Sequence, residues 1–174
     1  MPSALFRKQS LHVERPLPWA LGLKMSNHLS KFSQGVAVEL FNAFPEMKEF
    51  ESVTENDGEV ALYVEVIPPT GDAENPLRIS TLRGEITVSF DAYHAHFEDF
   101  RNAEGDDAYS MLQRIISDQF AVVSYWRDEQ WCGSTLLGKA EFPSDNAEYP
   151  YANRVEFKSW RGGLDGSIAC APRG

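Results

Sequence analysis

The sequence predicts an α+β domain: a single, mainly antiparallel β-sheet of five to seven strands with two main helices packed against it. Three observations predict it. Two stretches repeat apolar residues at three- and four-residue steps, the spacing of a helix with one buried stripe. Several others are short runs rich in β-branched and aromatic residues, bounded by Gly, Pro, Asn or Asp. Most links between those runs are only a few residues long, too short for the helical crossovers that a parallel sheet needs.

The elements follow in chain order. Leu29, Phe32, Val36, Leu40 and Phe44 form the first helical stripe, with Ser26 or Asn27 as its N-cap and Pro45 as its stop. Gly35 weakens its middle slightly. After the turn signal Asn56-Asp57-Gly58, Val60, Leu62, Val64 and Val66 alternate with Ala61, Tyr63 and Glu65, a strand with one buried face. Pro68 to Pro76 is a loop. Leu77 and Ile79 begin the next strand, and Arg83-Gly84 joins it to one in which Ile86, Val88 and Phe90 share a face. Tyr109, Leu112, Ile115 and Ile116 mark the second helix, with Asp106 or Asp107 at its positive end. Phe120 to Trp126 is a strand, Arg127-Asp128-Glu129 turns it, and Gln130 to Leu137 pairs back. Pro143 to Tyr151 is a loop, Val155 and Phe157 start another strand, and Ile168 opens a short last one beyond the glycine turns.

A length of 174 residues fits one domain with a core of its own. Residues 1–24 read apart from the rest, as an N-terminal arm or leader, because Pro16 and Pro18 break any helix there. Residues 25–174 read as the single α+β domain. The charge divides at the same place. Arg7, Lys8, Arg15 and Lys24 against Glu14 give the leader +3, so the remainder carries −13 of a chain whose total is −10. An acidic body repels nucleic acid and anionic membranes and attracts basic partners. The apolar run Trp19 to Leu23 is too short for a signal-peptide core or a membrane span. Cys132 and Cys170 form no CxxC and no disulfide framework, so reduced thiols in a cytoplasmic protein are expected.

The densest group of functional side chains lies in Gly84 to Phe100, GEITVSFDAYHAHFEDF. His94 and His96 sit two apart, so on a continued strand both imidazoles project to one face. With Glu98 or Asp99 they have the residue types of a divalent-metal site. No other part of a metal motif is present, and a polar strand end or partner contact is the plainer reading. Cys132 lacks an electropositive setting, which makes it a structural thiol rather than a nucleophile. Gly162 to Gly166 lacks the GK[ST] ending and following helix of a phosphate loop. No catalytic residue, metal ligand or cofactor is therefore assigned.

An interaction chemistry emerges instead. Asp91, Glu98 and Asp99 flank Tyr93, His94 and His96, while Asp128 and Glu129 stand between Trp126 and Trp131. Carboxylates beside large aromatics suit a surface that binds an Arg- or Lys-rich protein: the rings anchor and the acids steer. For Trp126 taken alone, the core is the expected place.

The segment GEITVSFDAYHAHFEDF, followed after one helix by FAVVSYWRDEQWCGS, resembles the small cytoplasmic immunity proteins of bacterial polymorphic toxin systems, including those paired with Rhs-type or contact-dependent toxins. The resemblance covers roughly residues 58–137. It implies a single-domain α+β protein, without catalytic activity, that binds one cognate toxin domain in a 1:1 complex and occludes its active site. The acidic body agrees with that, whereas the basic leader departs from it. Two other readings stand beside it: a metal-dependent hydrolase or glycohydrolase built on His94, His96 and Glu98, and a structural or adaptor protein of a phage or secretion apparatus.

Overall fold

The structure is a computed structural model and describes residues 29–56 and 58–173. The leader at 1–24 and the two candidate caps Ser26 and Asn27 lie outside the described residues. Helix α1 spans Lys31–Ala43 and is capped by Ser30, whose Oγ accepts from the Ser33 N–H. Phe44 and Pro45 end it, and a 3-10 turn, Pro45–Phe50, follows. Five strands come next: β1 (Glu51–Asn56), β2 (Glu59–Val66), β3 (Leu77–Leu82), β4 (Glu85–Phe90) and β5 (Tyr93–Phe97). Helix α2 (Ala108–Ile116) is capped by Asp107, and β6 (Phe120–Arg127), β7 (Gln130–Gly138), β8 (Arg154–Lys158) and β9 (Gly166–Ala169) complete the chain.

Every strand pair is antiparallel, in line with the α+β class read from the sequence. The strands form two sheets rather than one. The first is a meander ordered β1-β2-β3-β4-β5, and the second has the order β7-β6-β8-β9. The division falls at α2, because a helix between β5 and β6 leaves no short link by which β6 pairs with β5. Strand β1 has no alternating apolar signal, since Val53 is its one large apolar residue. It is held at the edge by pairing with β2.

The register explains burial. Leu62, Val64, Leu77, Ile79, Ile86, Val88, Phe90 and Phe97 line one face of the five-stranded sheet, under Val36, Leu40, Leu112 and Ile115 of the two helices. Strand β6 is apolar on both faces. Val122 joins this main core with Trp160, whereas Ala121, Val123 and Tyr125 join a smaller core with Val155, Phe157, Phe142 and Tyr149. A strand sandwiched on both sides loses its alternation, which is why Phe120 to Val123 reads as one continuous apolar run.

A buried polar link ties α1 to the sheet. Ser33 Oγ lies 2.6 Å from Thr81 Oγ1, and the Leu62 N–H donates to that same Thr81 oxygen at 3.0 Å. Thr81 thus serves a backbone donor as well as the serine. Thr81→Val is expected to cost about 1–3 kcal/mol, because it strands the buried Leu62 N–H and leaves the Ser33 hydroxyl with Ser30 alone. Ser33→Ala leaves the Leu62 bond intact and is expected to cost less. Denaturant midpoints of the two variants check the order, and an equal loss would refute this account of the link.

Candidate functional site

The sequence-predicted site residues fall into four neighbourhoods. The first is a cleft where the two sheets meet. The chain reverses at Asp91-Ala92, between Phe90 and Tyr93, so β5 folds back on β4 and does not continue it. Asp91 takes a φ of 51°, a conformation that Asp and Asn tolerate better than other side chains. Its half-buried carboxyl faces a cavity of about 70 Å³ lined by Asp72, Asn75, Phe90, Lys158 and Asp165, among others. Lys158 Nζ stands 3.8 Å from both Asp72 Oδ2 and Asp165 Oδ2, bridging the β2–β3 loop to the β8–β9 loop. Asp165 Oδ1 also accepts from the Ser159 N–H at 2.7 Å. One ammonium is therefore shared between two carboxylates drawn from separate loops, with Asp91 facing the same cavity.

Burial pushes the Asp91 carboxyl above its ordinary value of 3.8, against the lowering effects of the Ala92 N–H and Lys158. Asp72 goes the other way, held low chiefly by the Asn75 side chain, which donates to its Oδ2 at 3.0 Å. The raised Asp91 value has a definite sign for stability. An acid easier to protonate when folded favours the fold at low pH, and that contribution is lost as pH rises through the interval between its ordinary and its raised value. At neutral pH the charged group opposes folding. Asp91→Asn keeps the side-chain acceptor and suits the positive φ, so it is expected to raise Tm at pH 7. The gain should vanish below about pH 4, where wild-type Asp91 is protonated too. Melting curves at both pH values check this; a loss of stability at pH 7 would contradict it.

The second neighbourhood is the β6–β7 hairpin. Trp126 pairs with Trp131 across the strands, so the two share a face beyond Ser124 and Ser134. Trp126 is half-buried, its Nε1–H donating to Ser124 Oγ at 2.9 Å, with the Arg154 guanidinium 5.8 Å above its ring. Arg154 Nε is 2.9 Å from Glu156 Oε1, although its N–H does not point along that contact. Trp131 is 48% exposed, one of the few large apolar side chains left in solvent among the described residues. At the tip, Asp128 and Asn153 exchange two hydrogen bonds, Asp128 N–H to Asn153 Oδ1 at 3.0 Å and Asn153 Nδ2 to Asp128 Oδ1 at 2.7 Å. Asp128 therefore also shapes the turn, while Glu129 is exposed. This hairpin meets the cleft through Ser134, whose hydroxyl donates to the Ala92 carbonyl at 2.7 Å.

The third neighbourhood is the outer face of β5. His94 and His96 do share a face, as their spacing predicts, with ring centroids 5.2 Å apart. His96 Nδ1 lies 2.8 Å from Glu85 Oε1 and 3.2 Å from Thr87 Oγ1. Tyr93 turns the other way and packs half-buried against the main core. Among the described residues, no group of three or more His, Cys, Asp or Glu side chains is arranged to hold a metal ion. The fourth neighbourhood is the far end of β5, where Glu98 and Asp99 are exposed ahead of α2. Asp91 and Glu98 are seven residues apart across that strand, on the order of 23 Å at the usual rise.

The structure thus brings the turn that carries Asp91 against the hairpin that carries Trp126 and Trp131 through one hydrogen bond, Ser134 to Ala92, and leaves the histidines and the Glu98-Asp99 pair elsewhere. Sequence reasoning missed Asp72, Lys158 and Asp165 in the cleft, Arg154 over Trp126, and Glu85 beside His96. Only Glu85 had a local signal, since it lies across a tight hairpin from His96. Cys132 and Cys170 are free and half-buried against the smaller core. No helix among the described residues is long and apolar enough to cross a membrane. The chain matches no protein-family model, no curated protein and no solved structure.

Proposed function

We propose that this chain is a cytoplasmic immunity protein: a stoichiometric inhibitor without catalytic activity that binds one basic toxin domain and occludes its active site. The observation that carries the reading is Trp131, half exposed on a hairpin that also presents Asp128 and Glu129. A half-exposed tryptophan on a hairpin that also carries two carboxylates supplies a desolvatable anchor and charge steering for a partner rich in Arg or Lys. The cleft beside it supports the same reading. At about 70 Å³ it admits the end of one side chain rather than a drug-sized ligand. Its half-buried Asp91 opposes folding at neutral pH, and a guanidinium or ammonium brought by a partner would relieve that cost.

The excess of carboxylates over Lys and Arg, 26 against 16, makes association with a basic domain faster and salt-sensitive. The test is capture from the native organism with the tagged full chain, followed by co-expression of the captured protein with and without it. A basic partner, bound 1:1 and toxic when expressed alone, is the expected result. Recovery of the chain as a self-assembled oligomer only, or of an acidic partner, would overturn the proposal.

A further inference from the structure

We propose that the free edge of β5 is a docking site for an extended, basic segment of the partner, which adds a strand to the five-stranded sheet. This rests on the reading above that the partner is a basic polypeptide. The argument begins from register. Phe90 and Tyr93 flank a two-residue turn and form a hydrogen-bonded pair, so Val88–Ala95 and Ile86–Phe97 are hydrogen-bonded pairs as well. Ser89–His94 and Thr87–His96 are the intervening pairs. The backbone N–H and C=O groups of His94 and His96 therefore point away from β4. β5 is the last strand of its sheet, and no described residue pairs with that side. β7 approaches β5 itself without pairing with it, and at the turn Ser134 donates to the Ala92 carbonyl.

The other sheet edges carry the devices that discourage pairing. β1 carries Glu51 and Glu55, β7 has a bulge where Trp126 pairs with Trp131 and Tyr125 with Gly133, and β9 is four residues long. β5 reads Tyr-His-Ala-His-Phe, with no Lys, no Pro, no carboxylate and no bulge. It is the unguarded edge.

Charge selects the occupant. Asp91 stands before β5, Glu98 and Asp99 follow it, and Glu85 lies beside His96. A second copy paired antiparallel about Ala95 would set Asp99 against Asp91, like charge against like. A segment with Lys or Arg near one end meets the exposed Glu98 and Asp99 there instead. Main-chain bonds would give affinity and the flanking acids direction, as in strand addition generally.

The test uses the full chain, isotopically labelled, and a capped peptide of alternating Lys and Val, with alternating Glu and Val as control. The basic peptide should slow amide exchange at His94 and His96 by at least about tenfold, and the acidic peptide should not. His96→Pro removes an outward N–H without touching a ladder bond to β4, so it should lower the peptide's affinity at least about tenfold. His96→Ala keeps the N–H and should bind as wild type. Equal losses in both variants would assign binding to the imidazole and overturn the proposal. So would peptide-induced shifts confined to the Asp91 cleft or Trp131, or no binding. Slow exchange in the free chain that deletion of residues 1–24 abolishes would assign the edge to the chain's own N-terminal segment and equally overturn it. Capture of a basic partner with His94 and His96 amides unchanged would leave the immunity reading standing and remove this one alone.

Discussion

Replacing Gly133 with valine is expected to lower the unfolding free energy by about 3 kcal/mol, at the upper end of overpacking effects. Gly133 is buried on β7 opposite Tyr125. A Cβ placed there would overlap the hydroxyl and ring of Tyr149. That ring is not free to swing away at no cost, because it packs on Tyr125 with centroids 4.7 Å apart. Tyr125 is in turn fixed by its hydroxyl, which donates to Glu148 Oε2 at 3.1 Å and whose pKa is pushed up to about 12, first by burial and then by that carboxylate. The smaller core of the second sheet therefore depends on one missing side chain. Pairing the change with Tyr149→Ala should recover part of the loss, since the smaller residue vacates the space that valine needs. A double-mutant cycle measured by denaturant unfolding gives the coupling directly, and strictly additive losses would show that the clash is not the cause.

Truncating Trp131 to alanine is expected to weaken partner binding by about 2–4 kcal/mol, or roughly thirty- to a thousand-fold. Thermal stability should stay nearly unchanged, because the indole is half exposed and contributes little to either core. The same change at Trp126 should behave differently. It removes the Ser124 hydrogen bond and the surface under Arg154, so stability falls together with any effect on binding. Isothermal titration against the captured partner, beside melting curves of both variants, separates the two cases. Retention of full affinity in Trp131→Ala would sink the assignment of the hairpin as the anchor.

The parts of the fold legible in the sequence are those that local periodicity controls. The stripe Leu29, Phe32, Val36, Leu40, Phe44 marked α1, although Ser30 is the cap that the helix uses. Alternation found β2 and β4, and the Trp-bearing hairpin was read with its turn in place. β1 went unread because an edge strand with one large apolar residue has no period to detect. β5 has no separate signal in the sequence, because the reversal at Asp91 lacks the glycine that usually marks a two-residue turn; an aspartate takes the positive φ instead.

The candidate site was legible in its residue types and not in its grouping. His94 and His96 share a face because two residues of one strand must. The ten residues selected for partner contact nevertheless lie in four places. The chain turns at Asp91, turns again at Asp128, and inserts α2 between the two segments. Lys158 reaches Asp72 and Asp165 across separations that no local pattern encodes.

Sequence alone determined the α+β class, the antiparallel pairing and the acidic body, because hydrophobic period, link length and charge count are properties of neighbours along the chain. Tertiary structure decided that the strands divide into two sheets, that Asp91 shares a cleft with Lys158, and that β5 ends its sheet with one edge unpaired among the described residues. Those outcomes depend on which distant surfaces exclude water together, and burial of that kind is non-directional until the whole chain has packed.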